Sequence, residues 1–471
     1  MTKKHFAALI TGSLLLSGCD FAPHYIRPAM PVAPTLPTVG KGTGGAEQVD
    51  THAAADIAWR DFFTDPRLRS LIELGLANNR DLRVAVGRVE QARAQYHVQR
   101  ADLLPTITVG ADASFQKAPL PQGPANLAGR ADIYSANVGT ASWEIDLFGR
   151  IRDLNKAALE RYFASQDARD AAQTALVAEI ATAWLVLAAD QEQLRIDRNT
   201  GAAFKATVDL TEARLTAGSG SELEVRQART SYDRARSDVA NLTSLVAQDQ
   251  NALTLLVGAE LPVEALPADL PPDGATLATL PAGLSSDVLM RRPDIAGAER
   301  ELRAANADIG AARAAFFPRL SLTAAFGTLS MGLSNLFTSG SQAWSVAPSA
   351  IVPIFDFGRN QANLKGSKAA QEIALAQYEK AIQSGFREVA DALARRGTIG
   401  DQLEAQQALR DNAAHAFQLS DARYRFGTDS FLTTLDSQRA LYAAEQSLIA
   451  TRLVRETNLV ELYRGLGGGL K

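Results

Sequence analysis

The stretch Asp146-Leu147-Phe148-Gly149-Arg150 returns as Phe355-Asp356-Phe357-Gly358-Arg359, and this return decides the fold, because it makes the chain a duplication. The offset between the two glycines is 209. Working outward, Arg214-Leu215-Thr216-Ala217-Gly218 matches Arg423-Tyr424-Arg425-Phe426-Gly427 at the same offset. On the other side, Asp81-Leu82 precedes Leu104-Pro105 at the same interval as Asp294-Ile295 precedes Phe317-Pro318. The offset between these prolines is 213, so it changes once, by four, between the proline and the Phe-Gly-Arg signal. A length change confined to one place marks a variable loop. Four matches in order at near-constant offset are the mark of an internal repeat. The halves meet in a Pro-rich linker from about Gly258 to Ser286.

Each half reads helix, strand, strand, long helix, helix. Ile107, Val109, Ala111, Ala113 and Phe115 alternate onto one face, as do Leu320, Leu322, Ala324 and Phe326. Trp344, Val346, Ala350 and Val352 share a face, whereas Tyr134 to Leu147 changes phase near Thr140. Period-two runs of about ten residues fit transmembrane strands. Arg150 to Leu215 and Arg359 to Arg425 contain no proline. Read as helices, they are roughly 100 Å long, which a globular domain cannot house. Leu176, Ile180, Ala183, Leu187 and Leu194, and later Leu435, Tyr442 and Ile449, follow coiled-coil spacing. The helices turn at Gly218-Ser219-Gly220, before the capping box Ser221-Glu222-Leu223-Glu224, and at Gly427-Thr428-Asp429. Four strands per chain cannot close a transmembrane barrel, for which about eight is the minimum. Two chains would supply eight strands and three would supply twelve.

The composition excludes several functions. The chain has 471 residues, with 48 Lys+Arg against 52 Asp+Glu and a formal charge of −4, so no basic excess suits nucleic acid. Five scattered histidines and a single cysteine, Cys19, offer no metal-ligand spacing. No nucleophile–base–orienter set appears, so no catalytic residue is expected and an enzyme is the least favoured reading. The glycines at 40, 42 and 44 lack the spacing of a phosphate loop. The N-terminus is informative instead. Lys3 and Lys4 precede a short apolar run, Phe6 to Leu16, that ends in Leu16-Ser17-Gly18-Cys19. This is the pattern of a lipoprotein signal, in which the Cys19 thiol is acylated and becomes the mature N-terminus. Asp20 follows directly; in enteric bacteria an aspartate there tends to hold lipoproteins in the inner membrane.

On these features the sequence resembles the TolC-like outer membrane efflux proteins, in their NodT/OprM-like lipoprotein branch. The resemblance rests on the Cys19 lipobox, Tyr25-Ile26-Arg27-Pro28, Arg291-Arg292-Pro293-Asp294-Ile295, Ala311 to Leu320, Asp356-Phe357-Gly358-Arg359, and Arg423 to Arg439. It implies a mainly α protein with transmembrane β-structure, a homotrimer whose 12-stranded barrel continues into a periplasmic α-helical barrel. The conduit would be passive and outer-membrane, without cofactor or metal beyond N-acyl and S-diacylglycerol lipid on Cys19. Its partners would be a periplasmic adaptor, an inner-membrane pump of the RND type and outer-membrane lipid, with no nucleic acid. By motif match, Asp436 is a gate carboxylate and Leu432 an apolar ring; a second aspartate of some relatives is here Thr433. Gly218, Gly220, Glu224, Gly427, Thr428 and Asp429 would form the adaptor-contacting tips. The basic residue that pairs across the tips in some relatives corresponds here to Asp429, so that ion pair is expected to be missing. The repeat mate of Asp436 is Gln227, so one half alone carries the carboxylate. The expected parts are a signal peptide (1–18), an acylated tether (19–60), a first repeat (61–257, β-hairpin 105–145), a linker (258–286), a second repeat (287–464, β-hairpin 318–355) and a flexible tail (465–471). The competing readings are a type I protein-secretion conduit and a periplasmic adaptor lipoprotein. An adaptor would need one helical hairpin rather than two.

Overall fold

The computed structural model describes residues 21–37, 57–117, 130–272, 274–276 and 285–470. Cys19, the rest of the signal segment, the glycine stretch at 40–44 and the greater part of the first hairpin loop lie outside these residues. The chain is mainly helical with one small sheet. The order is α1 (Trp59–Phe62), α2 (Pro66–Asn78), α3 (Arg80–Ala101), β1 (Thr108–Lys117), β2 (Arg130–Ile145), α4 (Arg150–Thr216) and α5 (Glu222–Val257). After the linker come α6 (Pro293–Ala314), β3 (Arg319–Ser330), β4 (Gln342–Ile351), α7 (Arg359–Arg425) and α8 (Phe431–Gly465). From α3 onward the duplication is visible element by element, whereas α1 and α2 have no α-helical counterpart among the described residues. Helices α4 and α7 are each 67 residues long.

Two compact units are present, and each takes segments from both sequence halves. The first comprises the segment ending at Pro28, Arg88–Gln166 and Gly297–Tyr378. Its centre is an antiparallel sheet in the order β1-β2-β3-β4. The phase change in the second strand has a physical cause. The β2–β3 register slips between Thr140 and Trp143, and Ser142 takes φ 54°. A bulge of this kind moves the following residues to the opposite face, which keeps Trp143 and Ile145 on the apolar side.

The segment after the expected lipid site is strapped to this unit. Phe21 stacks on Phe317 at 4.6 Å, and Phe317 stacks on Phe148 at 5.0 Å. Asn306 donates to the Pro23 carbonyl (2.6 Å) and Arg313 to that of Phe21 (3.0 Å). A side chain at Gly310 would meet the Ala22 nitrogen at 2.7 Å, so the strap crosses α6 where only glycine fits. Beyond it, Glu299 accepts from both ends of the Arg27 guanidinium (3.0 and 2.8 Å), from the Tyr25 hydroxyl (3.1 Å) and from Arg303 (2.6 Å). Burial works against the Glu299 charge, but the hydrogen bonds from Arg27 and Arg303 outweigh it and hold its carboxyl below the usual range. A depressed carboxyl stabilises the fold above its unfolded pKa, about 4.3, and that contribution is lost as pH falls through the folded value. The strap is therefore expected to hold at neutral pH and to release well below pH 4. In Glu299→Gln, hydrogen exchange of residues 21–28 should already be fast at pH 7, since hydrogen bonds to a charged group contribute about 1.5–3 kcal/mol. Unchanged protection in the variant would refute this.

The second unit comprises Ala29–Gly87, Asp167–Ala296 and Glu379–Lys471 in their described parts. Helix α4 contains a stretch apolar enough to cross a membrane, yet Leu176, Ile180, Trp184, Leu185 and Leu187 are buried in protein, so that stretch serves packing. Of the expected seam, Leu176, Ile180, Leu187 and Leu194 are buried, and Leu435, Tyr442 and Ile449 likewise. Ala183 is only half-buried. The linker is clamped to the helices: Glu192 accepts from the Leu270 backbone (3.1 Å) and Glu456 from that of Ala275 (3.1 Å). The expected loose tail is packed in its described part. Leu466 is fully buried, and the Gly469 N–H donates to the Tyr463 hydroxyl at 3.0 Å. That tyrosine stacks on Phe62 at 3.9 Å, a partner from the opposite end of the chain that local composition cannot reveal.

Candidate functional site: membrane sheet and helix tips

The sheet has one apolar face. Val109, Val138, Phe326 and Trp344 are register partners in one row across all four strands, and they are 85, 41, 58 and 75% exposed. The neighbouring row, Gly110, Asn137, Gly327 and Ala343, alternates to the other face and is small or polar. An exposed apolar face of this width suits lipid contact, with the small and polar face toward water. Strands of 10 to 16 residues are long enough to span the apolar layer. Among the described residues, the strand order leaves β1 and β4 each with an unpaired edge.

The two tips are built alike, as their common offset requires. Gly218 (φ 74°) and Gly427 (φ 75°) take the left-handed conformation that ends a helix. Ser219 donates its N–H to the Arg214 carbonyl at 2.9 Å, and Thr428 to that of Arg423 at 2.9 Å. A side chain at Gly220 would crowd the Leu215 nitrogen at 3.0 Å. Ser221 caps α5, and Glu224 completes the box by accepting from the Ser221 backbone at 3.1 Å. Its repeat mate Ser430 caps α8 through the Thr433 N–H at 3.2 Å.

The tips also hold each other. Phe204, Val208, Ala228 and Ala235 of the first hairpin pack with Tyr424, Phe431 and Leu435 of the second. Arg214 donates to the Tyr424 hydroxyl at 2.6 Å and lies over its ring at 5.1 Å. Arg439 donates to Ser231 at 2.9 Å. Tyr442 donates to Asp238 at 3.2 Å; burial and the carboxylates of Asp197 and Asp238 push its phenol up. Asp429 is not an unpaired carboxylate: Arg423 donates to it at 3.2 Å within the second tip. Neither this ion pair nor the Arg214–Tyr424 contact is in the sequence reading, although Arg214 and Arg423 are repeat mates.

Leu432 and Asp436 of α8 lie on its open side. Leu432 is 48% exposed and the Asp436 side chain 61%, while Phe431 and Leu435 point into the cluster. One helical turn puts the pair on a common stripe. Asp436 faces Arg439 at 3.6 Å, a partner that the i, i+3 spacing could have suggested.

An apolar-faced sheet with open edges, in one chain with helices of this length, defines an outer-membrane channel component. The profile of the family "Outer membrane efflux protein" matches residues 71–259 and 284–468, and the chain belongs to that family. It is 44% identical over 470 residues to the probable efflux pump outer membrane protein TtgC of Pseudomonas putida, covering 100% of this chain and 96% of the relative. It is 40% identical to the outer membrane protein OprJ of Pseudomonas aeruginosa, covering 97% and 94%. The open-state MtrE channel of Neisseria gonorrhoeae superposes with a TM-score of 0.86 at 38% identity, over 96% of this chain and 99% of that one. The protein is an outer-membrane component of an efflux system, with its helical portion in the periplasm.

Proposed function

We propose that three copies of this chain form the passive duct of a tripartite efflux system. Their twelve strands close a barrel that continues into a periplasmic helical barrel, and Cys19 carries the lipid that anchors each N-terminus. A periplasmic adaptor engages the tips at Gly218, Gly220, Glu224, Gly427, Thr428 and Asp429. An RND-type inner-membrane pump hands over small toxic molecules; a relative in Pseudomonas putida is named as a toluene efflux pump component. Leu432 and Asp436 ring the resting periplasmic opening.

The observation that carries this reading is the pair of open edges flanking an apolar face. Lipid supplies no hydrogen-bond partner to an unpaired strand, so a sheet in a bilayer must close on further copies. Native mass spectrometry from detergent, followed by denaturing spectra, tests both closure and anchoring. Three chains are expected, each beginning at an acylated Cys19. A stable monomer overturns the barrel, and an intact Met1 or an unmodified thiol overturns the anchor.

A further inference from the structure

We infer that α4 and α5 share one proton between Asp190 and Asp249, and that this proton clasps the first hairpin more tightly in acid than at neutral pH. The pair stands level in the hairpin, since Asp190 lies 28 residues before Gly218 and Asp249 lies 28 after Ser221. The two carboxyls are hydrogen-bonded to each other. Ionised carboxylates only accept, so this bond requires a proton on one of them. Asp249 Oδ2 is buried and receives no well-formed hydrogen bond from an N–H or a hydroxyl among the described residues. Among those residues no charged group apart from Asp249 acts on Asp190, and none apart from Asp190 acts on Asp249. The charged groups of the neighbouring helices are engaged elsewhere. Arg452 of α8 pairs with Glu192 at 2.8 Å, and Arg195 of α4 and Arg410 of α7 act on Glu445 of α8. Burial, then the charge of Asp249 and the hydrogen bond to it, push the Asp190 carboxyl up to about 6. Asp190 therefore holds the proton and donates it. Burial pushes Asp249 up as well, against the bond that it accepts.

Two further observations agree. Seven residues nearer the tip, Asp197 is fully buried; Gln193 donates to its Oδ1 at 2.6 Å, and its Oδ2 receives no well-formed hydrogen bond among the described residues. Tyr442 stands between Asp197 and Asp238 with a single hydroxyl hydrogen, which goes to Asp238 at 3.2 Å. Arg234, 4.0 Å from Asp238, is 82% exposed. The seam between α4 and α5 is thus short of donors at two levels, and a buried acceptor without a donor is costly. The other observation comes from the repeat. At the offset of 209 the mates of Asp190 and Asp249 are Ile399 and Asn458. Ile399 is buried, and Asn458 donates to the Ala392 carbonyl at 3.1 Å. The second hairpin fills these positions without a carboxyl, so the proton site belongs to the first hairpin and is not a demand of the shared fold.

An aspartate whose folded pKa lies above its unfolded value, about 3.9, binds its proton more tightly in the folded chain. The clasp is therefore complete below that value and is lost as pH rises through about 6, where the second carboxyl ionises. Solvent reaches part of the pair and screens it, so local opening of the hairpin is expected to rise about tenfold across this range. Hydrogen exchange of the full chain in detergent, corrected for intrinsic rates, tests this between about pH 5 and about pH 7.5. Protection around Asp190 and Asp249 is expected to fall about tenfold as pH rises, while protection around Ile399 of α7 and Asn458 of α8 stays constant. Asp249→Asn gives Asp190 a permanent amide donor and should flatten the profile at the higher protection. The double variant Asp190→Ile/Asp249→Asn, which copies the second hairpin, should flatten it too; circular dichroism checks that each variant keeps its helices. Glu445, also pushed up by burial, is the competing source of a step, and both variants leave it in place. A parent profile without a step overturns the clasp. So does a step that survives in both variants, which assigns the titration to Glu445 or another group.

Discussion

In a planar bilayer, the Leu432→Ala/Asp436→Ala double variant is expected to show a several-fold higher single-channel conductance than the parent. In the proposed trimer the open side of each α8 would face a common axis, so that Leu432 would supply an apolar constriction and Asp436 a ring of like charges one turn away. Removing the leucine side chain widens the narrow level and lowers the cost of wetting it. Removing the carboxylate abolishes a fixed charge that attracts cations over the Debye length of about 10 Å at 0.1 M salt. The single variants separate these effects. Leu432→Ala should raise conductance with little change in ion preference. Asp436→Ala should shift preference away from cations, by less than a free carboxylate would, because Arg439 stands 3.6 Å away. If neither conductance nor preference moves in the double variant, the two residues form an ordinary solvated helix face.

The largest loss of stability is expected at Arg292. Its side chain is 6% exposed and donates to Asp294 at 2.8 Å and to Glu388 at 3.0 Å. Another arm reaches the Gly465 carbonyl at 3.4 Å, tying the start of α6 to α7 and to the end of α8 within one unit. Replacing it by methionine keeps much of the volume, leaves Asp294 without its cation and leaves Glu388 with Arg464 alone, at 3.4 Å. Breaking a buried pair costs about 3–5 kcal/mol; the carboxylates are 44 and 40% exposed, so about 3 kcal/mol is expected here. Lysine should rescue little, since it cannot present a planar fork to two acceptors. The pH dependence follows from Asp294. Burial works against its charge, but the hydrogen bond and charge of Arg292 prevail and hold its carboxyl below the ordinary range. Its contribution is present above the unfolded aspartate pKa, about 3.9, and disappears as pH falls through the folded value. Thermal unfolding of Arg292→Met against the parent should therefore differ most near neutral pH and converge in acid. An equal gap at all pH values would show that packing, not charge, is what Arg292 provides.

The fold was legible because its signals are periodic or repeated. Alternation located all four strands, the proline-free runs located both long helices, and the glycines at a common offset located both tips. Even the bulge left a trace, as the phase change near Thr140. What stayed hidden depends on partners distant in sequence. Nothing near Gly310 announces that Ala22 passes against it, and nothing in the terminal glycines announces that Tyr463 holds them. Leu432 and Asp436 share an exposed stripe of α8, as their spacing requires; their role at a gate belongs to the proposed function. The ion pairs of Asp436 and Asp429 were missed because arginine is common in both tips, and only geometry selects which one reaches the carboxylate.

Gly149 and Gly218 stand as far apart in sequence as Gly358 and Gly427 do. The chain thus carries two measuring rods of identical length between the end of a strand and the tip of a hairpin, and its length change lies at the other end, in the hairpin loop and in the one extra residue of the β2 bulge. An extra residue in α4 alone would advance its tip by about 1.5 Å and turn it by about 100°. Arg214 would then swing away from Tyr424, and the Schellman turn at Gly218 would face elsewhere. A rod spanning a gap of fixed width tolerates altered side chains along its length far better than an altered count. Variation among proteins of this build is accordingly expected as substitution along the shaft and as insertion beyond the membrane, where no partner has to be met at a set distance.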